Sequence, residues 1–292
     1  MSDTQTKVPQ LSYDATLNHQ RIETKPFIKW AGGKRRLVPV FSPHFPPMRT
    51  VGRYFEPFLG GGAVFFHLQH PKSILSDSNA TLVELYQIVR DNVEELIGKL
   101  EEHTNDKRYY YNVRSQNPKA LSAVERAARF IFLNKTCYNG LYRVNSKGSF
   151  NVPFGHYKNP QICDAERLRA ASAVLQISTI SAVDFEEALS EAGAQDFVYC
   201  DPPYHPLNET SSFTSYTAGK FDADDQRRLA RVYRELDRRN CRVMLSNSDT
   251  PLIRELYQDF QIIEVQANRA INSKANGRGK ITELLVINYG LE

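Results

Sequence analysis

The chain has 292 residues, 41% hydrophobic and 24% charged, with a formal net charge of +4. That length supports a sizeable core in one large domain or two smaller ones. No uninterrupted apolar run reaches the roughly 18 residues of a membrane span, which argues against a helical membrane protein.

In chain order, residues 1–25 are polar and lack the apolar middle of a signal peptide, so they read as a flexible N-terminal tail of a cytoplasmic protein. Strand-like apolar runs follow at 52–57, 73–76, 176–181, 196–200, 241–245, 261–265 and 283–288. Helical patterns lie between most of them. From Asn79 onward Leu82, Leu85, Tyr86, Val89, Leu96 and Leu100 keep helical spacing. Ser122 and Glu125 have the spacing of a capping box, and Asp222 opens a helix with Leu229, Val232, Tyr233 and Leu236 on one face. Alternating strands and helices predict an α/β fold around a largely parallel, doubly wound sheet, which binds ligands at its strands' carboxyl ends. The alternation breaks over 78–164. There helices lead into "LYRVNSKGSFNVPFG", where Asn145-Ser146-Lys147-Gly148 predicts the turn of a β-hairpin. The expected organisation is a sheet domain of residues 26–77 and 165–292, with 78–164 inserted as a second domain.

The charge is unevenly spread. Residues 25–36 carry five positive charges and no acid, and 134–160 and 265–280 carry four each and no acid, so the remainder of the chain is net −9. Three purely basic segments on an otherwise acidic protein suggest a face for a polyanion, although separate solvated loops explain them too. The cysteines, Cys137, Cys163, Cys200 and Cys241, lie far apart with no metal-ligand or C-x-x-C spacing, which predicts reduced structural thiols and no bound metal. The arginines at 227, 231, 234 and 238 read as a solvated helix face, with pairs such as Asp224–Arg228 and Arg231–Glu235 in reach.

"YFEPFLGGGAVFFHL" (54–68) has the form of a strand, a glycine turn and a helix. It is neither a dinucleotide fingerprint, since Phe65 stands at the third glycine position, nor a P-loop. Asp77 closes the next strand where a nucleoside site places an acid for ribose hydroxyls, so an adenosine-containing ligand without a pyrophosphate fits. "FIKWAGGK" (27–34) adds Trp30, the one tryptophan, and Lys34, suited to a ligand carboxylate.

"VYCDPPY" (198–204) places Asp201 at a strand's carboxyl end, before two prolines that stiffen the backbone and an aromatic ring. An exocyclic amino nitrogen of a base is a poor nucleophile because its lone pair is delocalised into the ring. Two acceptors on its hydrogens, the Asp201 carboxylate and the Pro202 carbonyl, draw it towards tetrahedral geometry and aim the lone pair at a sulfonium methyl. Tyr204 stacks on the base, and orientation with desolvation provides the rate.

In this order, K-W-A-G-G-K, E-P-F-L-G-G-G, an inserted domain and D-P-P-Y resemble the Dam-type family of DNA adenine-N6 methyltransferases (the D12 class). The resemblance runs from about Phe27 to the C-terminus. It implies a Rossmann-like sheet that binds S-adenosylmethionine, with 78–164 as target-recognition domain. It implies catalytic roles for Asp201, Pro202 and Tyr204. Cofactor contacts fall on Trp30, Ala31, Lys34, Phe58, Gly60, Gly62, Asp77, Asp184, Phe185 and Asp201. Residues 134–158 are similar to the version in GATC-methylating members, which implies Tyr138, Asn139, Leu141, Arg143, Pro153 and Tyr157 near bases and Lys29 on the first guanine. Arg114, Asn145 and Asn151 are implied on the DNA backbone. His156 stands where close relatives have a stronger base. Segments 213–221 and 268–280 resemble the loop near the target base and a mobile basic loop. The expected activity is base-flipping methylation of duplex DNA by a monomer, at GATC; the alternative is a restriction–modification enzyme with another recognition sequence.

Overall fold

The computed structural model describes residues 11–14, 19–207, 221–268 and 280–290. Its strands are β1 Leu11–Asp14, β2 His19–Ile22, β3 Tyr54–Glu56, β4 Ser73–Ser76, β5 Ser178–Ser181, β6 Phe197–Cys200, β7 Arg242–Ser248, β8 Gln261–Asn268 and β9 Lys280–Ile287. Its α-helices are α1 Val38–Phe41, α2 Ala63–Leu68, α3 Ala80–Asp91, α4 Val93–Glu101, α5 Lys107–Ser115, α6 Ala123–Thr136, α7 Ala165–Leu175, α8 Phe185–Ala188, α9 Ala223–Arg238 and α10 Pro251–Leu256. Each of the seven strand-like runs forms a strand, and these make one seven-stranded sheet in the order β5-β4-β3-β6-β7-β9-β8. β3 runs parallel to β4 and β6, and β6 parallel to β7. β9 is antiparallel to both β7 and β8, so the expected α/β sheet is mixed. Among the described residues no helix is long and apolar enough to cross a membrane.

Packing density divides the chain into two compact units. One comprises Leu37–Leu59, Lys72–Ser78 and Val183–Glu292; the other Met1–Arg36, Gly60–Pro71 and Asn79–Ala182. In the first, β6 is buried at every residue, as expected of a strand covered on both faces. Its core packs Val198 and Cys200 of β6 and Val243 and Leu245 of β7 with Leu229, Tyr233 and Leu236 of α9. The α9 arginines pair at shorter spacing than expected: Arg227 with Asp224, Arg238 with Glu235, and Arg228 with Asp225 as well as with Asp184 and Glu186. Arg239 supplies the i,i+4 pair, to Glu235.

In the second unit the capping box forms as the sequence predicts, Ser122 and Glu125 exchanging side chain and backbone bonds. The helical spacing read from Asn79 to Leu100 is carried by two helices, α3 and α4, which meet at Asn92 (φ −132°, ψ 35°). All six of its spaced apolar residues are nevertheless buried. Val152 and Phe154 of the hairpin region pack with Tyr110 and Val113 of α5 and Phe132 and Leu133 of α6. Part of residues 1–25 lies within the described residues. β1 and β2 pair antiparallel, and Gln69, itself buried, exchanges hydrogen bonds with both the N–H and the carbonyl of Ile22 (3.1 and 2.7 Å).

Candidate active site and nucleic-acid interface

Topology places the acid–proline–proline–tyrosine motif. The chain leaves β3 for β4 on one side of the sheet, and leaves β6 for β7 on the other. The strand order therefore reverses between β3 and β6, the point where open α/β sheets bind ligands at their carboxyl ends. The glycine turn follows β3 and Asp201 follows β6.

The loop after β6 is held by β7. Ser246 Oγ donates to Asp201 Oδ1 at 2.9 Å, and Tyr199 Oη lies 3.0 Å from Ser246 Oγ. Asn247 Oδ1 accepts the His205 N–H at 3.1 Å, and Ser248 Oγ donates to the His205 carbonyl. Gln226, fully buried on α9, donates to the Pro203 carbonyl (2.9 Å) and accepts from Asn247 Nδ2 (3.0 Å). Tyr204 Oη donates to Glu283 Oε2 of β9 at 2.7 Å. Burial first, then the neighbouring Asp201, pushes the Tyr199 and Tyr204 phenols well above their usual range, so both stay protonated donors. Sequence reading missed Ser246, Asn247, Gln226 and Glu283; the polar run "SNS" at the end of an apolar strand was the available signal.

The expected cofactor residues take several roles. Gly60 (φ +47°) and Gly62 (φ +65°) adopt left-handed backbone, and a Cβ on Gly60 would lie 2.9 Å from Trp30 Cδ1 and Nε1. The glycine turn thus cradles the indole. Tyr86 Oη donates to the Gly60 carbonyl (3.1 Å). Lys34 is buried, with Nζ donating to the Gly32 carbonyl at 2.7 Å, and Ala31 is half-buried. In the other unit, Asp77 lies half-buried just past β4, and the Phe58 ring stacks on Phe185 at 5.4 Å. Asp184 caps α8 and holds Arg228 with both carboxylate oxygens, 3.0 and 2.9 Å; Phe185 lies in the core beneath that guanidinium. Taken unit by unit, the left-handed glycines admit close approach of a ligand and the lysine suits a carboxylate, while in the other unit the carboxylate beyond β4 suits hydroxyls. Among the described residues no grouping of His, Cys, Asp and Glu suits a metal ion.

The expected base readers cluster in one unit. Asn134, buried on α6, accepts the Lys29 N–H (2.8 Å) and donates to the carbonyls of Lys29 (2.7 Å) and Gly140 (3.0 Å). Lys29 Nζ sits 4.1 Å over the Tyr157 ring. Tyr138 is 52% exposed, and Asn139 (φ +56°) is strained into the left-handed region. Leu141 is half-buried and Pro153 exposed. The hairpin turn forms where expected, with the Gly148 N–H on the Asn145 carbonyl and bridges Val144–Phe150 and Cys137–Phe154. The Asn145 side chain closes that turn, accepting from Lys147 and Ser149 N–H. Arg143 is exposed, its Nε donating to Asn151 Oδ1 at 2.7 Å. Arg114 lies over Tyr111 and donates to the Val152 carbonyl, while His156 is exposed at φ +54°. The expected loops at 213–221 and 268–280 lie outside the described residues save at their ends, Phe221, Asn268 and Lys280.

Comparison with known proteins agrees with this geometry. The family model for D12 class N6 adenine-specific DNA methyltransferases matches residues 30–271. The chain is 46% identical to the type II methyltransferase M1.LlaDCHI of Lactococcus lactis subsp. cremoris, over 94% of this chain and 99% of that protein. It is 46% identical to the type II methyltransferase M.MjaIII of Methanocaldococcus jannaschii, covering 92% and 100% of the two chains. Identity to the DNA adenine methylase of Escherichia coli K12 is 36%, covering 91% and 95%. With the acid–proline–proline–tyrosine loop at the reversal point of the sheet and similarity along nearly its whole length, the chain belongs to the D12 class of N6 adenine-specific DNA methyltransferases.

Proposed function

We propose that this adenine-N6 DNA methyltransferase acts on GATC in duplex DNA, as a monomer, on an adenine turned out of the helix. The observation that carries the catalytic reading is the position of Asp201 after β6, beside the parallel strand β3 that leads into the glycine turn. Asp201 and the Pro202 carbonyl accept the two hydrogens of the amino group, and Tyr204 stacks on the base. S-adenosylmethionine, when bound, supplies the electrophilic methyl. Trp30, Ala31, Lys34, Phe58, Gly60, Gly62, Asp77, Asp184 and Phe185 are the residues proposed to hold it, with Lys34 on its carboxylate and Asp77 on its ribose. The Asp184 carboxylate already holds Arg228, which leaves its contribution to the adenine end to shape more than to free charge. Base flipping follows from access, because an amino group inside a stacked duplex is out of reach of a pocket at strand ends.

Residues 78–164 are proposed as the recognition domain, with 26–77 and 165–292 as the catalytic one. Lys29 and Arg143 read guanines, while Tyr138, Asn139, Leu141, Pro153 and Tyr157 lie near bases. The GATC reading rests on the likeness of 134–158 to GATC-methylating members. The two type II relatives favour a second reading of its setting, modification paired with a nuclease. Sequencing the modified bases of plasmid DNA from a methylation-deficient host expressing the chain tests the target: N6-methyladenine confined to GATC is expected, and methylation at another sequence ends the GATC reading. Asp201→Ala is expected to abolish methyl transfer while DNA still binds. A 2-aminopurine at the target position is expected to change fluorescence on binding, in the parent or in Tyr204→Ala. Silence in both rejects flipping.

A further inference from the structure

We propose that Ser246, held by Tyr199, is a positioning residue that aims the Asp201 carboxylate at the amino group of the target base. The inference rests on the catalytic reading of Asp201 above. A serine hydroxyl has one proton to donate. Ser246 directs it to Asp201 Oδ1 at 2.9 Å, so in the 3.0 Å contact between Tyr199 and Ser246 the phenol is the donor. The result is a chain of hydroxyls, Tyr199 to Ser246 to Asp201, running in one direction and ending on a carboxylate. Ser246 is 0% and Tyr199 1% exposed, so water cannot replace either partner. Hydrogen bonds that end on an ion strengthen along such a chain.

The backbone fixes this arrangement. In the parallel register Cys200 lies opposite Leu245, so Ser246 is the β7 residue one step beyond, level with Asp201. Asn247 and Ser248 then take His205, at the far end of the same loop. Three consecutive β7 residues therefore hold the acid–proline–proline–tyrosine loop at both ends, and Ser246 is the one that acts on the carboxylate itself. The titratable groups that feel the Asp201 charge are the Tyr199 and Tyr204 phenols and the Cys200 thiol; Glu283 of β9 faces both phenols, and Glu56 of β3 faces that of Tyr199. A donor such as the Ser246 hydroxyl favours the charged form of the carboxylate it touches.

The test is single-turnover methylation of a cognate duplex at saturating cofactor, across pH, by the parent, Ser246→Ala, Tyr199→Phe, the double variant and Asp201→Ala. A hydrogen bond to a charged group is worth enough to slow Ser246→Ala by about ten- to a hundredfold. Its DNA and cofactor affinities are expected to stay near the parent's, and the acid limb of its profile to move to higher pH. Tyr199→Phe is expected to move both quantities in the same direction by less. The double variant is expected to be no slower than Ser246→Ala, because Tyr199 acts through Ser246. A parent-like rate and acid limb in Ser246→Ala overturns the proposal, as does a loss that excess cofactor or DNA restores. Multiplied effects in the double variant remove Tyr199 from it. Should Ser246→Ala fail to fold, Tyr199→Phe decides by the same two readouts. Full activity in Asp201→Ala would bring down the catalytic reading and this inference together. An inactive Asp201→Ala beside an unaffected Ser246→Ala brings down this inference alone.

Discussion

Trp30 and Tyr142 stack with ring centroids 5.8 Å apart and planes 25° apart, and Tyr142 stacks in turn on Phe130 at 5.0 Å and 19°. Trp30 is the sequence neighbour of Lys29, and Tyr142 that of Arg143, so each proposed guanine reader sits beside one ring of a shared stack.

Removing that stack is expected to loosen two functions at once. An aromatic pair contributes about 0.5–1.5 kcal/mol beyond its buried area, or up to roughly tenfold in an equilibrium. Tyr142→Leu is expected to weaken cofactor binding by about that factor and to narrow the preference for GATC over near-cognate duplexes. Cofactor titration followed by Trp30 fluorescence checks the first and kcat/KM on substituted duplexes the second. Unchanged values in both would mean the stack only fills space.

Arg143 and Asn151 make a second testable pair. A base reader loses discrimination when removed, by about 1–3 kcal/mol for one bidentate contact. Arg143→Ala is therefore expected to tolerate substitution at one guanine-bearing pair, with overall rate reduced. Asn151→Ala, which frees the guanidinium from its 2.7 Å partner, is expected to relax the same position by less. Lys147→Ala and Lys158→Ala are expected to weaken binding to all sequences alike and to flatten the salt dependence by roughly 0.9 per phosphate contact. If Asn151→Ala changes only the salt slope, its role is on the DNA backbone.

Gly140 is expected to tolerate no side chain. Its φ is +63°, and a Cβ there would lie 2.3 Å from Lys29 Cδ and 2.6 Å from Lys29 Cβ. Gly140→Ala should displace Lys29 from its place over Tyr157 and relax discrimination at the first guanine. A set of single-substitution duplexes reads this directly, and selectivity retained at that base would show that Lys29 does not read it.

His103 gives stability a pH dependence. Its ring stacks on Phe132 at 4.5 Å, and burial lowers its pKa below the ordinary value. Above about pH 6.5, the unfolded value, it is neutral in both states and its contribution is complete. As pH falls below that, the unfolded chain takes up the proton first, so stability is lost down to the lower, folded pKa. Melting temperature is expected to drop on acidification through pH 6, with a shallower slope in His103→Phe.

The cysteines are expected to differ in reactivity. Cys137, Cys200 and Cys241 are buried, and burial pushes the Cys137 thiol up to about 11 and that of Cys241 up to about 12. Cys163 is only partly covered. A thiol reagent should titrate a single cysteine slowly in the native protein and all four after denaturation. Fast reaction of more than one native thiol contradicts the packing.

By itself the sequence determined the seven strands, the capping box at Ser122, the turn at Asn145–Gly148 and the place of Asp201 after a buried strand. These depend on side-chain period, cap chemistry and proline stiffness, all local. The tertiary structure decided what the sequence does not encode locally. The helical period runs unbroken through Asn92 although the backbone turns there. β9 enters the sheet between β7 and β8, a choice of pairing that strand propensity leaves open. Trp30 looked like a ligand contact, and its indole also fills the space beside Gly60. Above all, the groups that orient the site come from far along the chain: Ser246 reaches Asp201 across 45 residues, Glu283 reaches Tyr204 across 79, and Asn134 reaches Lys29 across 105. A serine at a strand end or an asparagine within a helix carries no mark of its partner. Burial selects that partner, because a polar group taken from water must find its hydrogen bond within the fold.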